Sequence, residues 1–293
     1  MSSQIGLVGL AVMGQNLALN IADKGFDIAV WNRSHEKTVA TVKRAEEEKV
    51  KGKLVGFEKM EDFVANIKRP RAVIILVQAG RPVDAVISQL TQLLEPGDII
   101  VDGGNEWFEN TERRAAAAKE KGLLYMGMGV SGGEDGARHG PALMPGGPRE
   151  AYDAIKPIVT KIAAQVEDGP CVTYIGEGGA GNYVKMIHNG IEYGDMQLIA
   201  EAYDILKNVG NFTNEELHAT FADWNKSELE SFLIEITAKI FTRKEADGSH
   251  TVDKILDKTG QKGTGRMTIQ EAAELSVPAP TITASLDARN LSA

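Results

Sequence analysis

The sequence predicts two kinds of architecture in one chain: an α/β fold over residues 1–178 and an all-helical fold over residues 179–293. In the first part, short apolar segments alternate with amphipathic helical patterns, which is typical of a parallel sheet covered by helices. After residue 175 the strand-like segments nearly vanish and only helical patterns follow. The boundary between the two domains is therefore predicted between Gly176 and Gly179.

Composition and charge narrow the class of protein. The chain is 43% hydrophobic and 25% charged, and its formal net charge is 32 − 41 = −9. A negative net charge argues against a general role in binding nucleic acids or anionic membranes. No apolar run is long enough to span a membrane, no targeting segment is evident, and the single cysteine, Cys171, excludes an intramolecular disulfide. These features predict a cytoplasmic protein with neither a nucleic-acid nor a membrane partner.

The first strand and helix enclose a turn that is typical of dinucleotide binding. An apolar strand at residues 4–8 is followed by the spacing G-x-A-x-x-G and then by a helical pattern. Such a turn lets a pyrophosphate approach the free amides at the helix N-terminus. The alanine stands where the usual fingerprint has its second glycine, which weakens the motif. The first domain is thus predicted to be a Rossmann-type, doubly wound domain whose cofactor-binding turn is formed by Gly9, Leu10, Ala11, Val12, Met13 and Gly14.

The turn after the second predicted strand, residues 27–31, indicates which dinucleotide binds. An NAD-binding unit usually places a carboxylate there for the ribose 2′-hydroxyl, whereas this chain has Asn32, Arg33 and Ser34. Arg33 can bind a 2′-phosphate through charge-assisted hydrogen bonds. NADP is therefore the predicted cofactor; the alternative is that Arg33 is a surface residue at the start of the next helix.

The remaining elements are predicted from apolar periodicity. Further strands are expected at residues 72–77, 98–101, 124–128 and 171–175. Helices are expected to run to about residues 24 and 48, and at residues 82–94, 111–121, 149–164, 179–204, 214–224, 227–241, 266–275 and 281–290.

Two stretches after predicted strands are candidates for ligand contacts. The carboxyl ends of parallel strands meet at one edge of a sheet beside the cofactor, which places four residues on the nicotinamide side. These are Val77, Gln78, Ala79 and Asn105. The glycine-rich stretch 129–141 is predicted to be an irregular loop whose amides, around Ser131, Gly132 and Gly133, approach a ligand; a plain flexible linker is the alternative.

Residues 179–204 are predicted to form one long helix that carries the chemistry. Its polar face consists of Lys185, His188, Asn189 and Glu192, and its apolar face of Val184, Ile187, Ile191, Met196 and Ile199. Lys185 and Glu192 lie roughly 10 Å apart along the axis, so they could accept and donate a proton at opposite ends of a small molecule. The alternative is a solvated face, although His, Asn and Gly are unusual choices for one.

Taken together, these motifs resemble the 6-phosphogluconate dehydrogenase family. The matching segments are residues 9–14, 32–34, 102–105, 130–134, 144–147 and, most specifically, KMIHNGIEYGDMQ at residues 185–197. Related β-hydroxyacid dehydrogenases share the glycine fingerprint, the Ser-Gly-Gly loop and a lysine, but are not expected to carry HNGIEY at residues 188–193. Such a relative and a non-catalytic NADP-binding protein are the alternatives, and a non-catalytic protein would need neither Lys185 nor Glu192.

The resemblance implies oxidation of 6-phosphogluconate at its 3-hydroxyl by NADP, then loss of carbon dioxide, without a metal, to give ribulose 5-phosphate. Lys185 matches the general base, which requires a lowered pKa that burial would favour. Glu192 matches the acid that protonates C1 of the enediol. Positions that match contacts to the sugar acid are Asn105, Ser131, Gly132, Gly133, His188 and Asn189. Positions that match the phosphate site are Tyr193, Lys262, Thr264 and Arg289.

Two departures from the family affect the expectations. Gln78 stands where family members commonly have a lysine near the cofactor phosphates. The family's chains also run past the equivalent of Ala293, forming a homodimer through the all-α domain, with a tail that supplies an Arg and a His to the partner's active site. We therefore expect residues 1–293 alone to bind NADP, to turn over poorly and to dimerise weakly or aggregate.

Overall fold

The computed structural model of the chain covers residues 2–260 and 263–293. Two compact units make up the chain, Met1–Met186 and Ile187–Ala293. The first unit is built from a sheet and helices, and the second from helices. The division falls inside one long helix, Ala180–Asp204.

A seven-stranded sheet forms the centre of the first unit. Its strands are β1 (Ile5–Val8), β2 (Ile28–Trp31), β3 (Leu54–Phe57), β4 (Ala72–Ile75), β5 (Ile99–Asp102), β6 (Leu124–Ser131) and β7 (Ala142–Gly146). They lie in the order β3-β2-β1-β4-β5-β6-β7, and all neighbours are parallel except β6 and β7. The order reverses between β1 and β4, which confirms the doubly wound topology and opens a crevice at the carboxyl ends of these strands.

Helices cover both faces of this sheet. They are α1 (Val12–Asp23), α2 (His35–Glu47), α3 (Met60–Asn66), α4 (Arg81–Leu90), α5 (Phe108–Glu120), α6 (Gly133–His139) and α7 (Arg149–Ile162). One buried cluster includes Leu17 of α1 and Val159 of α7, and the other includes Phe63 of α3 and Leu90 of α4. Because helices bury both faces, a central strand such as β4 is apolar throughout.

In the described part of the chain after α7, the regular elements are helices apart from a short hairpin, β8 (Gln165–Val166) and β9 (Gly169–Pro170). The helices are α8 (Ala180–Asp204), which continues into a π-helical turn (Ile205–Val209), α9 (Asn214–Trp224), α10 (Phe232–Ile240), a 3-10 turn (Thr251–Lys254), α11 (Thr264–Glu274) and α12 (Pro280–Ser292). Leu217 and Phe221 of α9 pack with Ile234 of α10 to form the core of the second unit.

The sequence prediction was wrong over the glycine-rich stretch 129–141. β6 continues to Ser131, and residues 133–139 form α6, so most of the stretch is regular. Gly132 stands at the N-cap of α6 with a φ of +124°, a conformation that an L side chain rarely adopts. The glycine is thus needed at the junction between strand and helix.

Other differences lie at the edges of the sheet. Residues 171–175 are not a strand, since Val172 and Gly176 make only isolated bridges to β7. β3, α3 and β7 are absent from the elements predicted from the sequence, and α10 has its N-cap at Ser231, four residues after the predicted start at residue 227. Within residues 2–260 and 263–293, no helix is long and apolar enough to cross a membrane.

Candidate functional site

The turn between β1 and α1 leaves a helix N-terminus open to a ligand. Gly9 has a φ of +100°, and a Cβ on Gly14 would lie 1.8 Å from the Gly9 carbonyl oxygen, so both positions require glycine. Ala11 is the N-cap of α1 and makes no side-chain cap bond, and both Ala11 and Val12 are exposed. The N–H groups of the first helical turn therefore suit an acceptor such as a pyrophosphate. Ala11, which replaces the second glycine of the fingerprint, therefore leaves the turn accessible to a ligand.

The turn between β2 and α2 is tied to this glycine turn by Asn32. Its side-chain oxygen accepts from the N–H of Leu10 at 2.9 Å, and its side-chain amide donates to the Ser34 carbonyl at 3.1 Å. Arg33 and Ser34 are exposed, and Ser34 is the N-cap of α2 without a side-chain cap bond. A guanidinium and a second helix N-terminus thus lie at one turn, an arrangement that suits a phosphate.

The loop after β4 lies directly against the glycine turn. A Cβ on Gly9 would lie 2.4 Å from the Leu76 carbonyl oxygen and 2.8 Å from a methyl carbon of Val77. Val77 and Ala79 are half-buried, whereas Gln78 is exposed. These three residues therefore border the same crevice as the glycine turn.

The ends of β5 and β6 bring the next candidates to this edge of the sheet. Asp102 of β5 pairs with Gly127 of β6, and β6 continues to Ser131. Asn105, which follows β5, is exposed, and so is Gly133 beside the half-buried Ser131. Among the described residues, no group of three or more His, Cys, Asp or Glu is placed to hold a metal ion.

The first turns of α8 pack against glycines of β6. A Cβ on Gly127 would lie 1.8 Å from the side-chain oxygen of Asn182, and one on Gly129 would lie 2.5 Å from Cβ of Lys185. Gly127 and Gly129 share a face of the strand because successive side chains alternate. The two missing side chains let α8 approach closely, and the Lys185 stem lies along Gly129.

Asn182 is a residue that the sequence analysis missed. It is 1% exposed, its oxygen accepts from the Thr111 hydroxyl at 2.9 Å, and its amide donates to the Gly104 carbonyl at 3.2 Å. Asn182 thus fixes the start of α8, one turn before Lys185, to the loop that carries Asn105. Its only signal in the sequence is a polar residue among the small residues that open the helix.

Burial along α8 differs from the predicted pattern. Lys185 and Asn189, on the polar face, are only 5% and 6% exposed. Val184 and Ile191, on the predicted apolar face, are 38% and 58% exposed, so the apolar face is less buried than the polar one at these positions. Burying polar side chains is costly unless they are bonded, so a solvated stripe does not describe this face. The face is built to hold polar groups in a fixed place.

His188 and Glu192 continue this polar face of α8. Nδ1 of His188 lies 3.2 Å from the side-chain oxygen of Asn189 and 3.8 Å from a carboxylate oxygen of Glu192. Both side chains are about one third exposed, at 35% and 36%. The Glu192 carboxylate is therefore accessible, whereas Lys185 is nearly enclosed.

A third group of candidates meets at the N-terminus of α11. The Arg289 guanidinium lies 4.1 Å from the centre of the Tyr193 ring, and a Cβ on Gly265 would lie 2.4 Å from that ring. Thr264 and Gly265 form the first turn of α11, whose N-cap is Gly263 with a φ of +84°. A cation, hydroxyl groups and a helix N-terminus together suit a phosphate. Lys262, the fourth candidate of this group, lies outside the described residues.

Comparison with known proteins adds independent support from both halves of the chain. The family model for the NAD binding domain of 6-phosphogluconate dehydrogenase matches residues 4–176. The model for the C-terminal domain of 6-phosphogluconate dehydrogenase matches residues 181–293. The chain belongs to the 6-phosphogluconate dehydrogenase family. The Arabidopsis thaliana decarboxylating 6-phosphogluconate dehydrogenase 2 is 66% identical over 99% of this chain and 60% of its own length.

Solved structures agree with this membership of the 6-phosphogluconate dehydrogenase family. Plasmodium falciparum 6-phosphogluconate dehydrogenase, solved in its apo form, with its cofactor NADP+ and with its substrate 6-phosphogluconate, matches with a TM-score of 0.92 at 54% identity. The match covers 99% of this chain and 62% of that one. A 3-hydroxyisobutyrate dehydrogenase from Salmonella typhimurium, 19% identical with a TM-score of 0.74 over 98% of this chain and 92% of that one, shares the fold. This chain spans about three fifths of the length of the Arabidopsis relative.

Proposed function

We propose that this chain carries out the NADP-dependent oxidative decarboxylation of 6-phosphogluconate to ribulose 5-phosphate, carbon dioxide and NADPH. The observation that carries the proposal is α8, which holds a buried Lys185 along Gly129 and an accessible Glu192 two turns later. An amine and a carboxylate roughly 10 Å apart on one helix can act on opposite ends of a small molecule. The names of the relatives, and the substrate bound to the Plasmodium enzyme, support the same reaction.

The residues of the first unit fit NADP. The open N-terminus of α1 suits the pyrophosphate, and Arg33 at the turn before α2 suits the 2′-phosphate. The loop residues 77–79 and Asn105 would lie on the nicotinamide side, because they follow β4 and β5 at the carboxyl edge of the sheet. When bound, NADP accepts a hydride from the substrate. The Plasmodium relative was solved with NADP+.

In the proposed oxidation, Lys185 takes the proton of the substrate 3-hydroxyl while the hydrogen on C3 leaves as a hydride. Gly129 and Asn182 keep the amine in place, the first by supporting its stem and the second by fixing the helix one turn earlier. Fixed geometry of this kind contributes strongly to rate, because the reacting groups need no further ordering. Burial of Lys185 also excludes bulk water from the transfer.

The resulting 3-keto acid loses its carboxylate as carbon dioxide. The bond between C1 and C2 breaks, its electrons move toward the ketone oxygen, and that oxygen takes the proton held by Lys185, which gives an enediol. Glu192 then donates a proton to the carbon that becomes C1 of ribulose 5-phosphate, while Lys185 takes the proton back from the oxygen as the ketone forms. His188, 3.8 Å from this carboxylate, is placed to orient it.

The remaining candidates would bind the two ends of the substrate. We assign the carboxylate and hydroxyl groups to Asn105, Ser131, Gly132, Gly133, His188 and Asn189. We assign the phosphate to Tyr193, Lys262, Thr264 and Arg289. The approach of Arg289 to the Tyr193 ring, at the N-terminus of α11, supports this second assignment.

The same proposal includes a domain boundary, an oligomeric state and a location. We place the NADP-binding domain at residues 1–178 and the helical substrate domain at 179–293, which agrees with family matches that end at 176 and resume at 181. A homodimer through the helical domain would cover apolar side chains that are exposed there, such as Leu198 and Ile205. The single cysteine and the charge of −9 favour the cytoplasm and argue against nucleic-acid or membrane partners.

The test is to follow NADPH absorbance when the purified protein is mixed with NADP and 6-phosphogluconate, alongside calorimetric titration with NADP alone. NADPH formation that needs both compounds, and that stops in a Lys185→Met variant, would support the proposal. Omission of 6-phosphogluconate, and its replacement by 3-hydroxyisobutyrate, are the controls. NADPH formation with 3-hydroxyisobutyrate only, or absence of both turnover and NADP binding, would refute it.

A further inference from the structure

A buried charge cluster lies beneath the two loops that follow β4 and β5. Arg114 of α5 and Glu106 before α5 are each 3% exposed, and Asp102 at the end of β5 is fully buried. The Arg114 guanidinium lies 2.6 Å from a Glu106 oxygen and 3.4 Å from an Asp102 oxygen. Its Nε also donates to Asp84 of α4 at 2.8 Å. The proposed chemistry uses none of these four groups.

Arg114 and Glu106 hold both polar groups of one backbone position, Gly80. Nη2 of Arg114 donates to the Gly80 carbonyl at 3.0 Å, and the Gly80 N–H donates to the Glu106 carboxylate at 2.8 Å. Gly80 has a φ of +86° and is the N-cap of α4. Because glycine has wide conformational freedom, its backbone needs further contacts to be held in one conformation. The two hydrogen bonds therefore fix the far end of the loop that begins at β4.

Glu106 also fixes the loop that carries it. Its second oxygen accepts from the Trp107 N–H at 2.9 Å and from the Asn110 side-chain amide at 3.0 Å. All the groups bonded to this carboxylate are donors, so the ionised form satisfies them best. Burial raises the pKa of Glu106, but hydrogen bonds from Arg114 and from the Gly80 N–H outweigh it and hold the pKa below its ordinary value.

We infer that Arg114 and Glu106 are positioning residues, which hold the loops after β4 and β5 at a fixed separation for the nicotinamide half of the cofactor. The first loop carries residues 77–79, and the second carries Asn105. The inference rests on the proposed NADP site. Arg33 lies at another loop, and the glycine turn contacts the loop after β4 at its beginning, at Leu76 and Val77, whereas the Arg114–Glu106 pair holds its far end at Gly80. Loosening this pair should therefore alter the nicotinamide end and leave the adenosine end unchanged.

A second, partly buried ion pair, next to the same strands, is a matched control. Arg71 precedes β4 and Asp98 precedes β5, and Nη1 of Arg71 donates to the fully buried Asp98 carboxylate at 2.9 Å. This pair joins the strands at their amino ends, on the edge of the sheet opposite the cofactor crevice. Weakening it should lower stability without altering either half of the cofactor site.

The test compares Glu106→Gln and Arg114→Lys with Asp98→Asn and Arg71→Lys. Each lysine keeps the positive charge but cannot reach all the acceptors that the guanidinium reaches. Two probes are titrated: adenosine 2′,5′-bisphosphate, which lacks nicotinamide, and NADPH, whose fluorescence comes from the dihydronicotinamide ring. We expect the Glu106 and Arg114 variants to bind the bisphosphate normally and NADPH about 3- to 10-fold more weakly, with altered fluorescence of the bound NADPH.

The control variants should keep both affinities even where the midpoint of thermal unfolding falls. Equal weakening of both probes by Glu106→Gln and Arg114→Lys would overturn the inference, since the cluster would then support the whole domain. Unchanged NADPH binding and fluorescence in both variants would overturn it as well. Failure of the wild-type protein to bind either probe would instead remove the NADP assignment on which the inference rests.

Discussion

At the scale of single residues, Arg33 shows how one side chain can choose between cofactors. Asn32 holds the turn through its bonds to Leu10 and Ser34, so the exposed Arg33 is not required to hold the turn. Arg33→Ala should therefore weaken NADP binding and leave NAD binding nearly unchanged, because only NADP carries the 2′-phosphate. A charge-assisted contact of about 1.5–3 kcal/mol corresponds to roughly 10- to 100-fold in affinity, which calorimetric titration with each cofactor would measure.

A matched control for Arg33 is Lys43→Ala on α2. It removes the same charge from an exposed side chain whose ion pair, with Glu47, is on the surface of the same helix. This variant should bind both cofactors like the wild type, since exposed charges at a distance are screened by salt. Equal weakening of NADP and NAD by Arg33→Ala would show that Arg33 supports the fold of the turn.

Substitutions of Lys185 and of Glu192 should affect different steps of the reaction. Lys185→Met should abolish hydride transfer, because the 3-hydroxyl proton then has no acceptor. Glu192→Gln should slow overall turnover and the exchange of the C1 proton of ribulose 5-phosphate with solvent. Removing a positioned acid or base costs on the order of 10²–10⁴-fold in rate. Stopped-flow absorbance for hydride transfer, and proton NMR in heavy water for exchange, would measure the two effects.

Near-normal rates in either variant would show that the substituted residue does not have its proposed role in the mechanism.

The two residues could be identified from the sequence because their spacing and the surrounding motif are local. It could not show that Asn182 bonds to Thr111 and Gly104, because those partners are 71 and 78 residues away in the chain. Contacts of that separation depend on how α8 packs against β6, which no local pattern reveals.

At the scale of elements, the packing of α8 on β6 makes Gly129 a sensitive position. A Cβ there would lie 2.5 Å from Cβ and 2.8 Å from Cγ of Lys185, so Gly129→Ala must displace the lysine stem. Overpacking of this kind costs about 1–3 kcal/mol, and a displacement of about 1 Å can cost roughly 100-fold in rate. We expect turnover to fall much further than NADP affinity, as steady-state kinetics and titration would show.

Gly194→Ala is the matched control on the same helix. A Cβ at Gly194 would have neighbours at 3.7 and 3.9 Å, which is ordinary contact distance. Alanine also favours a helix over glycine by about 1 kcal/mol. Gly194→Ala should therefore keep turnover and raise the unfolding midpoint. Full activity in Gly129→Ala would show that the position of the Lys185 stem does not matter for the reaction.

The carboxyl groups of Glu106 and Asp102 should contribute to the stability of the fold with opposite pH dependences. The pKa of Glu106 is lowered from 4.5, so its stabilising contribution is full above pH 4.5 and is lost as the pH falls through the folded-state pKa. Burial raises the pKa of Asp102 above 3.8, despite hydrogen bonds from the Gly104 N–H and the Tyr125 hydroxyl. Its contribution therefore declines as the pH rises from 3.8 through the folded-state pKa.

Urea unfolding of the wild type, Glu106→Gln and Asp102→Asn between about pH 3 and 7 would test these signs. The free energy of unfolding of the wild type relative to Glu106→Gln should increase with pH and then level off. The free energy of unfolding of the wild type relative to Asp102→Asn should decrease over the same increase in pH. Two differences with the same slope would contradict the assignment of the charges in this cluster.

The elements themselves were predictable where their signal is local. β1, β2 and β4 are apolar throughout, β5 is apolar except for its last residue, Asp102, and α9 begins with the Thr213–Glu216 capping box, so pattern alone located them. β7 contains Pro145, and the proline is tolerated there because β7 is an edge strand, paired only with β6 in the sheet. β3 contains Gly56, where a Cβ would lie 2.6 Å from a methyl carbon of Thr38 in α2. Those two strands depend on packing partners that are distant in sequence.

At the scale of the whole molecule, the change from an α/β to a helical architecture was visible in the sequence because it alters hydrophobic periodicity itself. Exposed apolar faces on the helices of the second unit were also expected from the sequence, but the side chains that form them were not identified. Ile191, Leu198 and Ile205 are 58%, 56% and 60% exposed. Their spacing of seven residues places them on one side of α8 and its π-helical continuation, since seven residues make nearly two turns. Of these three residues, only Ile191 belongs to the apolar face predicted from the sequence.

This apolar stripe predicts self-association. A row of large apolar side chains on one helix face is a typical interface, and the net charge of −9 opposes indiscriminate aggregation. If two copies pair through the stripe, Leu198→Glu combined with Ile205→Glu should convert a dimer to a monomer, because the buried charges would lack partners. Sedimentation velocity at several concentrations would measure the change.

Val39→Glu, on α2 of the first unit at 54% exposure, is the matched control and should keep the dimer mass. A wild-type monomer, or a double variant that still sediments as a dimer, would show that this stripe is not the interface.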